Sequence, residues 1–256
     1  MLYVIATPIG NLNDLSPRAR SILSECDVIF CEDTRHTRQL FSGLGLDCPR
    51  LESLHAHNES RRIPMLQRMW EEGKHIGLVS DAGTPAVSDP GRFVVSAAHQ
   101  LGVSVYSIVG PSSLTGALAV SGFPISPFLF LGFPPRKTGP RRRWLIDASQ
   151  KECTLVILES GRRIGQIIRD LKVLMPDREV TMCREMTKKY EEVRRMPVLL
   201  FPEDPVKGEL VLVIGPGKAV EDDTVHKDTL KGIAEQLASL WGISKREAYN
   251  RLQRIK

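Results

Sequence analysis

The chain lacks the features that would fix its chemistry at a glance. It has no apolar run approaching the roughly 18 to 20 residues that a membrane span requires. The opening stretch "MLYVIATPIGNL" is broken by Pro8, Gly10 and Asn11 and carries no basic leader, which gives the expectation of a protein that is neither secreted nor membrane-spanning, hence cytoplasmic. Cysteine is sparse: the five, at 26, 31, 48, 153 and 183, form no C-x-x-C pair and leave one over. That argues against a disulfide framework and a structural zinc site, and for a reduced compartment. There is no G-x-x-x-x-G-K-[ST] to cradle a triphosphate, no G-x-G-x-x-G for a dinucleotide and no G-x-S-x-G nucleophile elbow. Kinase, dehydrogenase and serine-hydrolase chemistry fall away together. Internal repeats and low-complexity tracts are also missing.

What is present is a rhythm. Short apolar runs alternate with helix-period segments over 256 residues, the pattern of strands joined by crossover helices. "LYVIAT", "DVIFC", "HIGLVS" and "VSVYSIV" are expected strands of a parallel sheet, and the last two are nearly all apolar, as doubly covered strands are. Ser16-Pro17 caps a helix, and Gly73 and Gly102 stand where helices should end. After Pro111 the pattern restarts with the small-residue helix "SSLTGALAVSG" and the strands "FLFLGF", "TLVILES", "EVTMCRE" and "GELVLVIG". The expected organisation is an α/β chain of two α/β domains, 1–111 and 112–218, followed by a linker and helical tail at 219–256. "IAEQLASLWGISKREAYNRL" in that tail has the pattern of a helix-turn-helix with its turn near Gly242-Ile243-Ser244.

Four expected strands end in loops rich in small and polar residues: Thr7 to Asn11, Glu32 to Arg35, Ser80 to Pro85, and Gly110 to Ser113. In a parallel sheet such loops share the carboxyl edge, where open α/β sheets bind ligands. The third belongs to "LVSDAGTPAVSDPG", whose Gly, Pro, Ser and Asp content exceeds what a turn needs. With no phosphate cradle, a small ligand carrying little phosphate fits best. His55 and His57 beside Asn58-Glu59 have alternate spacing on one face, but no third ligand accompanies them, so no metal is expected. The net charge of +5 is compatible with a polyanionic partner. Basic residues concentrate at Lys137 and at Arg141, Arg142 and Arg143, although a run of this kind is also what the exposed start of a helix looks like.

The strings "ATPIGNLNDLSPRA", "EDTRHTRQL", "HNE", "LVSDAGTPAVSDPG", "GFPPRK", "REMTKKYEE" and "KGELVLVI" occur in order from Leu2 to about Gly217. With them the chain resembles the bacterial small-subunit ribosomal RNA cytidine 2′-O-methyltransferases of the tetrapyrrole methylase superfamily. The resemblance implies two α/β domains with S-adenosylmethionine in the cleft between them. It also implies a homodimer and a substrate in 16S rRNA, within the small ribosomal subunit. Carried onto this sequence, it places Pro8, Gly10, Ser80, Asp81, Ala82, Gly83, Thr84, Pro85, Ser112 and Ser113 around the cofactor, with Glu159, Cys183 and Arg184 from the second domain. The proton of a ribose hydroxyl must leave during methyl transfer. Candidate groups are Glu32 and Asp33, and Glu185 and Lys188, ranked above His57. Expected RNA contacts are Arg35, Arg38, Lys137, Arg141, Arg142, Arg143, Arg162 and Arg163. Two departures from the family pattern stand at Glu159-Ser160-Gly161-Arg162-Arg163, where a glycine and an arginine replace a rigid proline and a histidine, and at Val109 to Leu114. Same-fold tetrapyrrole C-methylation, and regulation through nucleic-acid binding by the tail, are the alternatives.

Overall fold

The computed structural model describes residues 1–219, Ala234, Ala238 and 242–253. They divide into two compact units, one of Met1–Gly116 with Glu185–Glu192 and one of Ala117–Arg184 with the described residues from Val193 onward. The division falls at Gly116 instead of Pro111, and the segment Glu185–Glu192 goes with the first unit although it follows strands of the second.

The first unit holds β1 (Leu2–Ile5), β2 (Val28–Cys31), β3 (Arg50–Ser53), β4 (Ile76–Leu78) and β5 (Val105–Ile108) in the order β3-β2-β4-β1-β5, every pair parallel. Successive residues of a strand face opposite ways, so both sides must find cover. Leu2, Val28, Phe30, Ile76 and Leu78 pack against α3 (Glu59–Glu71) and α4 (Arg92–Gln100). Tyr3, Ile5, Ile29 and Cys31 pack against α1 (Pro17–Glu25) and α2 (Thr34–Leu44). The chain therefore winds one way through α1 and α2 and returns through α3 and α4. Between the neighbouring strands β1 and β4 it diverges to opposite faces, the switch point where such sheets bind ligands.

Helix ends follow the local chemistry. Ser16 Oγ accepts the Ala19 N–H, and Asp33 Oδ1 accepts the Arg35 N–H at 2.8 Å. Gly73 and Gly102 take φ of +75° and +69° just past α3 and α4. Strand β3 escapes sequence pattern because three of its four residues, Arg50, Glu52 and Ser53, are polar and the strand is half-exposed at the sheet edge.

The second unit holds β6 (Phe128–Gly132), β7 (Thr154–Ser160), β8 (Glu179–Arg184), β9 (Glu192–Pro197) and β10 (Glu209–Ile214) in the order β6-β7-β10-β8-β9. The expectation of parallel strands throughout fails here: β10 runs antiparallel to both β7 and β8, while β6 and β7 pair in parallel. One face is covered by α6 (Thr138–Ser149) and α7 (Ile164–Leu174), with Leu145, Ile164, Ile168 and Leu171 on Leu155, Ile157, Leu210 and Leu212. α5 (Ser113–Ser121) carries the chain from the first unit into the second.

Of the tail, α8 (Lys245–Gln253) is described, and Ala248 clusters with Ala234, Ala238 and Ile243. The rest of the expected helix-turn-helix lies outside the described residues. Among the described residues no helix is long and apolar enough to cross a membrane.

Candidate functional site

The carboxyl edge of the first sheet is assembled by backbone. Thr7 and Gly83 form an isolated antiparallel bridge, Thr7 N–H to Gly83 O at 2.9 Å and Gly83 N–H to Thr7 O at 3.0 Å. This joins the loops after β1 and β4 across the switch point. Thr7 Oγ1 donates to the Ser80 carbonyl at 3.2 Å, and Thr84 Oγ1 donates to the Pro111 carbonyl at 3.4 Å, which brings in the loop after β5. The loop after β2 is tied on by the Asp33 N–H, which donates to Asp81 Oδ1 at 3.1 Å. Four loops expected to converge do so.

The excess of turn residues in "LVSDAGTPAVSDPG" is thereby explained. Gly83 has a φ of +80°, while Ala86 and Ser88 have φ of +65° and +68°, an uncommon state for residues with a Cβ. At the far end, Gly91 has a φ of +134°, and a Cβ there would stand 2.7 Å from Leu78 Cδ2. The buried Glu59 fixes that end: its Oε1 accepts the N–H groups of Gly91, Phe93 and Val94 at 3.1, 2.6 and 3.2 Å. A carboxylate at the start of α4 is favoured by the helix dipole. Asn58 serves the same loop, accepting the His55 N–H and donating to the Ser53 carbonyl. Asn58 and Glu59 are thus loop scaffolding, and among the described residues no set of three or more His, Cys, Asp or Glu is placed to hold a metal.

Gly10 meets Glu185–Glu192. A Cβ on Gly10 would overlap the Lys188 side chain and come within 2.8 Å of Thr187 Oγ1, so the glycine is where this segment lies down on the first loop. The segment is strained, Glu185 and Thr187 having φ of +46° and +65°. Met186 packs over Gly116, and Lys188 Nζ pairs with Glu185 Oε1 at 3.1 Å. Thr187 Oγ1 is buried with no hydrogen-bond partner, a position that a ligand atom can fill.

Carboxylates are crowded on the same edge. Burial, then the charge of Glu32, push Asp89 up to about 6, with Asp81 also contributing and a Ser80 hydrogen bond opposing. Glu32 is raised as well, by burial of its carboxyl and then by Asp81, although the side chain keeps solvent access. Asp33 behaves in the opposite way. Two side-chain hydrogen bonds from Arg35, at 3.1 and 2.7 Å, with the Arg35 N–H hold it far below the usual carboxylate range. The expectation that Asp33 accepts a proton is therefore corrected: it is a helix cap and the partner of Arg35. Glu185 and Lys188 likewise neutralise each other. Asp89 was not among the expected site residues. Its signal was the second Ser-Asp of the same string, of which only Ser80 to Pro85 were carried onto the site.

Pro8, Gly10, Ser80 to Pro85, Ser112, Ser113, Glu32, Glu185 and Lys188 all belong to the first unit. Glu159, Cys183 and Arg184 belong to the second. Glu159 is buried at the end of β7, accepts the Ser160 N–H at 2.7 Å and lies 3.4 Å from Arg163 Nη2. Cys183 is fully buried, and Arg184 Nε donates to the Lys207 carbonyl. Gly161, which stands where the family pattern has a rigid proline, is itself held: its N–H bonds the Gly208 carbonyl, its carbonyl accepts the Val206 N–H, and a Cβ would overlap the Val206 carbonyl.

The arginine run also needs correction. Arg141 is 3% exposed, its Nε 2.6 Å from Asp170 Oδ2, and Arg142 Nε lies 2.8 Å from Asp170 Oδ1. Arg141 cannot reach a phosphate because it neutralises a carboxylate inside the unit. Arg163 donates to the Pro134 and Pro135 carbonyls besides facing Glu159. Arg38, Lys137, Arg143 and Arg162 are exposed, and Arg35 keeps most of its surface while bound to Asp33.

Comparison with known proteins agrees with this architecture. The model of the Tetrapyrrole (Corrin/Porphyrin) Methylases matches residues 1–199. The "Ribosomal RNA small subunit methyltransferase I" of Leptospira biflexa is 41% identical over 221 residues, covering 85% of this chain and 92% of that protein. The protein of the same name from Escherichia coli O157:H7 is 38% identical, covering 93% and 85%. Among solved structures, the methyltransferase CobJ superposes with a TM-score of 0.63 at 16% identity, covering 84% of this chain and 94% of that one. A Thermus thermophilus uroporphyrin-III C-methyltransferase complexed with S-adenosyl homocysteine gives 0.55 at 17%, covering 84% and 96%. These two likenesses show the fold.

Proposed function

The chain belongs to the tetrapyrrole (corrin/porphyrin) methylase family, and on that premise we propose that it is an S-adenosylmethionine-dependent methyltransferase of small-subunit ribosomal RNA that methylates the 2′ oxygen of a cytidine ribose near the decoding centre. The observation that carries the reading is the joining of the loops after β1, β2 and β5 to the β4 loop at the switch point, centred on the Thr7–Gly83 bridge and crossed by Glu185–Glu192 at Gly10. The residues fit the cofactor. Glu32, Asp81 and Asp89 offer negative charge to a cationic sulfonium, and the buried, unpartnered Thr187 hydroxyl offers a hydrogen bond. Bound there, S-adenosylmethionine supplies an activated methyl group for in-line displacement.

The protein's share is to orient the reactants, exclude water and receive a proton. Ser80, Gly83 and Thr84 hold the β4 loop in one shape through the bonds described above. Asp89 is the better proton acceptor of the crowded pair, since a carboxylate with a pKa near 6 is both largely ionised at neutral pH and more basic than an ordinary one. The exposure of Arg35, Arg38, Lys137, Arg143 and Arg162 supports their role as contacts for RNA phosphates. We extend the proposal to RNA within the small ribosomal subunit as substrate, to the cytoplasm as location and to a homodimer as the active form. Tyr106 and Val109, 43% and 75% exposed on or beside the edge strand β5, support a surface covered by a second copy.

Identity of 38–41% to proteins named for ribosomal RNA, against 16–17% to the tetrapyrrole enzymes, favours RNA over a tetrapyrrole. The test is mass-spectrometric mapping of ribose methylation in small-subunit RNA incubated with the protein and cofactor. A new 2′-O-methyl cytidine is expected; unchanged RNA together with a methylated tetrapyrrole would reverse the assignment.

A further inference from the structure

The connection between β6 and α6, Gly132-Phe133-Pro134-Pro135-Arg136-Lys137, displays a large aromatic side chain to solvent. Phe133 is 63% exposed, whereas the adjacent Pro134 is buried. An exposed ring on a mobile loop would be unremarkable, but this loop is clamped. Arg163 Nη2 donates to the Pro134 carbonyl at 3.3 Å and lies 3.5 Å from that of Pro135. Arg141 Nη1 donates to the Arg136 carbonyl at 3.0 Å and to Gln166 Oε1 at 3.3 Å, while its Nε is fixed by Asp170. Two prolines add their fixed φ. Three consecutive carbonyls of the loop are thus held by guanidinium groups anchored in the unit, and a ring mounted in this way loses little entropy when something stacks on it.

Charge selects the occupant. Residues 132–143 contain five Arg or Lys and no Asp or Glu. Asp170 neutralises Arg141 and Arg142, which leaves Arg136, Lys137 and Arg143 exposed around the ring's own loop and the first turns of α6. Arg162, next to the clamping Arg163, adds a fourth exposed cation. A rigid aromatic face bordered by unneutralised cations is the chemistry that receives an unpaired base and its flanking phosphates. We propose that Phe133 is a stacking platform for an unpaired nucleobase of the RNA substrate, with Arg136, Lys137 and Arg143 holding the adjoining phosphates. The proposal rests on the RNA reading above and adds a subsite to it.

The test uses the full chain and a short fluorescein-labelled single-stranded oligoribonucleotide, with affinity measured across a salt series. Phe133→Ala should weaken binding about 5- to 150-fold, the worth of one stacked base, and leave the salt slope unchanged because no charge is lost. Phe133→Trp should restore or tighten binding. The Arg136→Ala/Lys137→Ala double variant should lower the slope by about 1.4, at about 0.7 for each single-strand phosphate contact. Cofactor affinity should be the same in all of them. If the unmodified chain binds the oligonucleotide and Phe133→Ala binds it equally well, the stacking role is wrong while the RNA reading stands. If the unmodified chain binds no RNA, the RNA reading fails and the platform with it. If Phe133→Ala instead halves the mass of the particle in solution, the ring is covered by a second copy and the proposal is overturned.

Discussion

All strands of the first sheet run the same way, whereas β10 of the second runs against both its neighbours. Parallel strands deliver every strand-end loop to one edge, and in the first unit that edge collects the positive-φ residues, the crowded carboxylates and the buried hydroxyl without a partner. A mixed sheet divides its loops between two edges, and the second unit spends its polar groups on itself. Arg141 and Arg142 close on Asp170, Arg163 on Glu159 and two carbonyls, and Lys172 on Glu203. The same residue types therefore build a site in one unit and a scaffold in the other.

The sharpest way to break this contrast is Arg141→Ala. If the arginine is scaffold, its loss leaves the buried Asp170 with Arg142 alone and one carboxylate oxygen without its partner, and should destabilise the second unit by about 1.5–3 kcal/mol in denaturant unfolding. A loss below about 0.5 kcal/mol would return Arg141 to the surface. Gly83→Ala probes the first unit. A Cβ there would meet Ile9 Cγ2 at 3.4 Å and Pro111 O at 3.8 Å, ordinary contacts, so the cost is the backbone conformation alone, about 1–2 kcal/mol. Calorimetric titration should show cofactor affinity falling with it; full affinity in a folded variant would separate the bridge from the ligand.

Asp89→Asn is expected to stabilise the protein, since removing a carboxylate forced upward relieves a cost. The folded-state pKa of about 6 exceeds the ordinary value of 3.8, so the native state binds the proton more tightly. Stability should therefore fall as pH rises between the two values, and Asp89→Asn should gain about 1–2 kcal/mol above pH 6 and nothing below pH 4. If Asp89 also accepts the ribose proton, the unmodified rate should drop about tenfold per pH unit below 6, and the variant should lose activity while gaining stability. The smallest effect belongs to Arg143→Ala. An exposed cation should move stability by less than about 0.5 kcal/mol and shift only the salt dependence of RNA binding. A larger stability loss would mean that all three arginines are scaffold.

How far the sequence was legible follows the same division. The loops at the parallel edge were readable because their strands are short apolar runs whose ends carry unmistakable Gly, Pro, Ser and Asp, but "VSVYSIV", expected to be covered on both faces, is the edge strand β5 with Tyr106 and Ser107 exposed. Strand β3 was hidden because Arg50, Glu52 and Ser53 are polar and lie at an edge. The antiparallel course of β10 was hidden too, since "ELVLVI" is apolar in either direction. Arg141 could not be told from Arg143 because nothing local reveals Asp170, 29 residues away. Asp89 was missed because the site was carried only as far as Pro85, and its perturbation comes from burial and then from Glu32 and Asp81 on other parts of the edge.

The central claim is that the first unit's carboxyl edge holds S-adenosylmethionine, and hydrogen–deuterium exchange of the full chain with and without the cofactor tests it most directly. Amides of residues 6–11, 79–91, 110–113 and 185–192 should exchange more slowly once the cofactor is bound, because they form the edge joined by the Thr7–Gly83 bridge, the Thr84–Pro111 bond and the segment over Gly10. Saturating cofactor that leaves all four stretches unprotected, or that protects the second unit alone, would contradict the account.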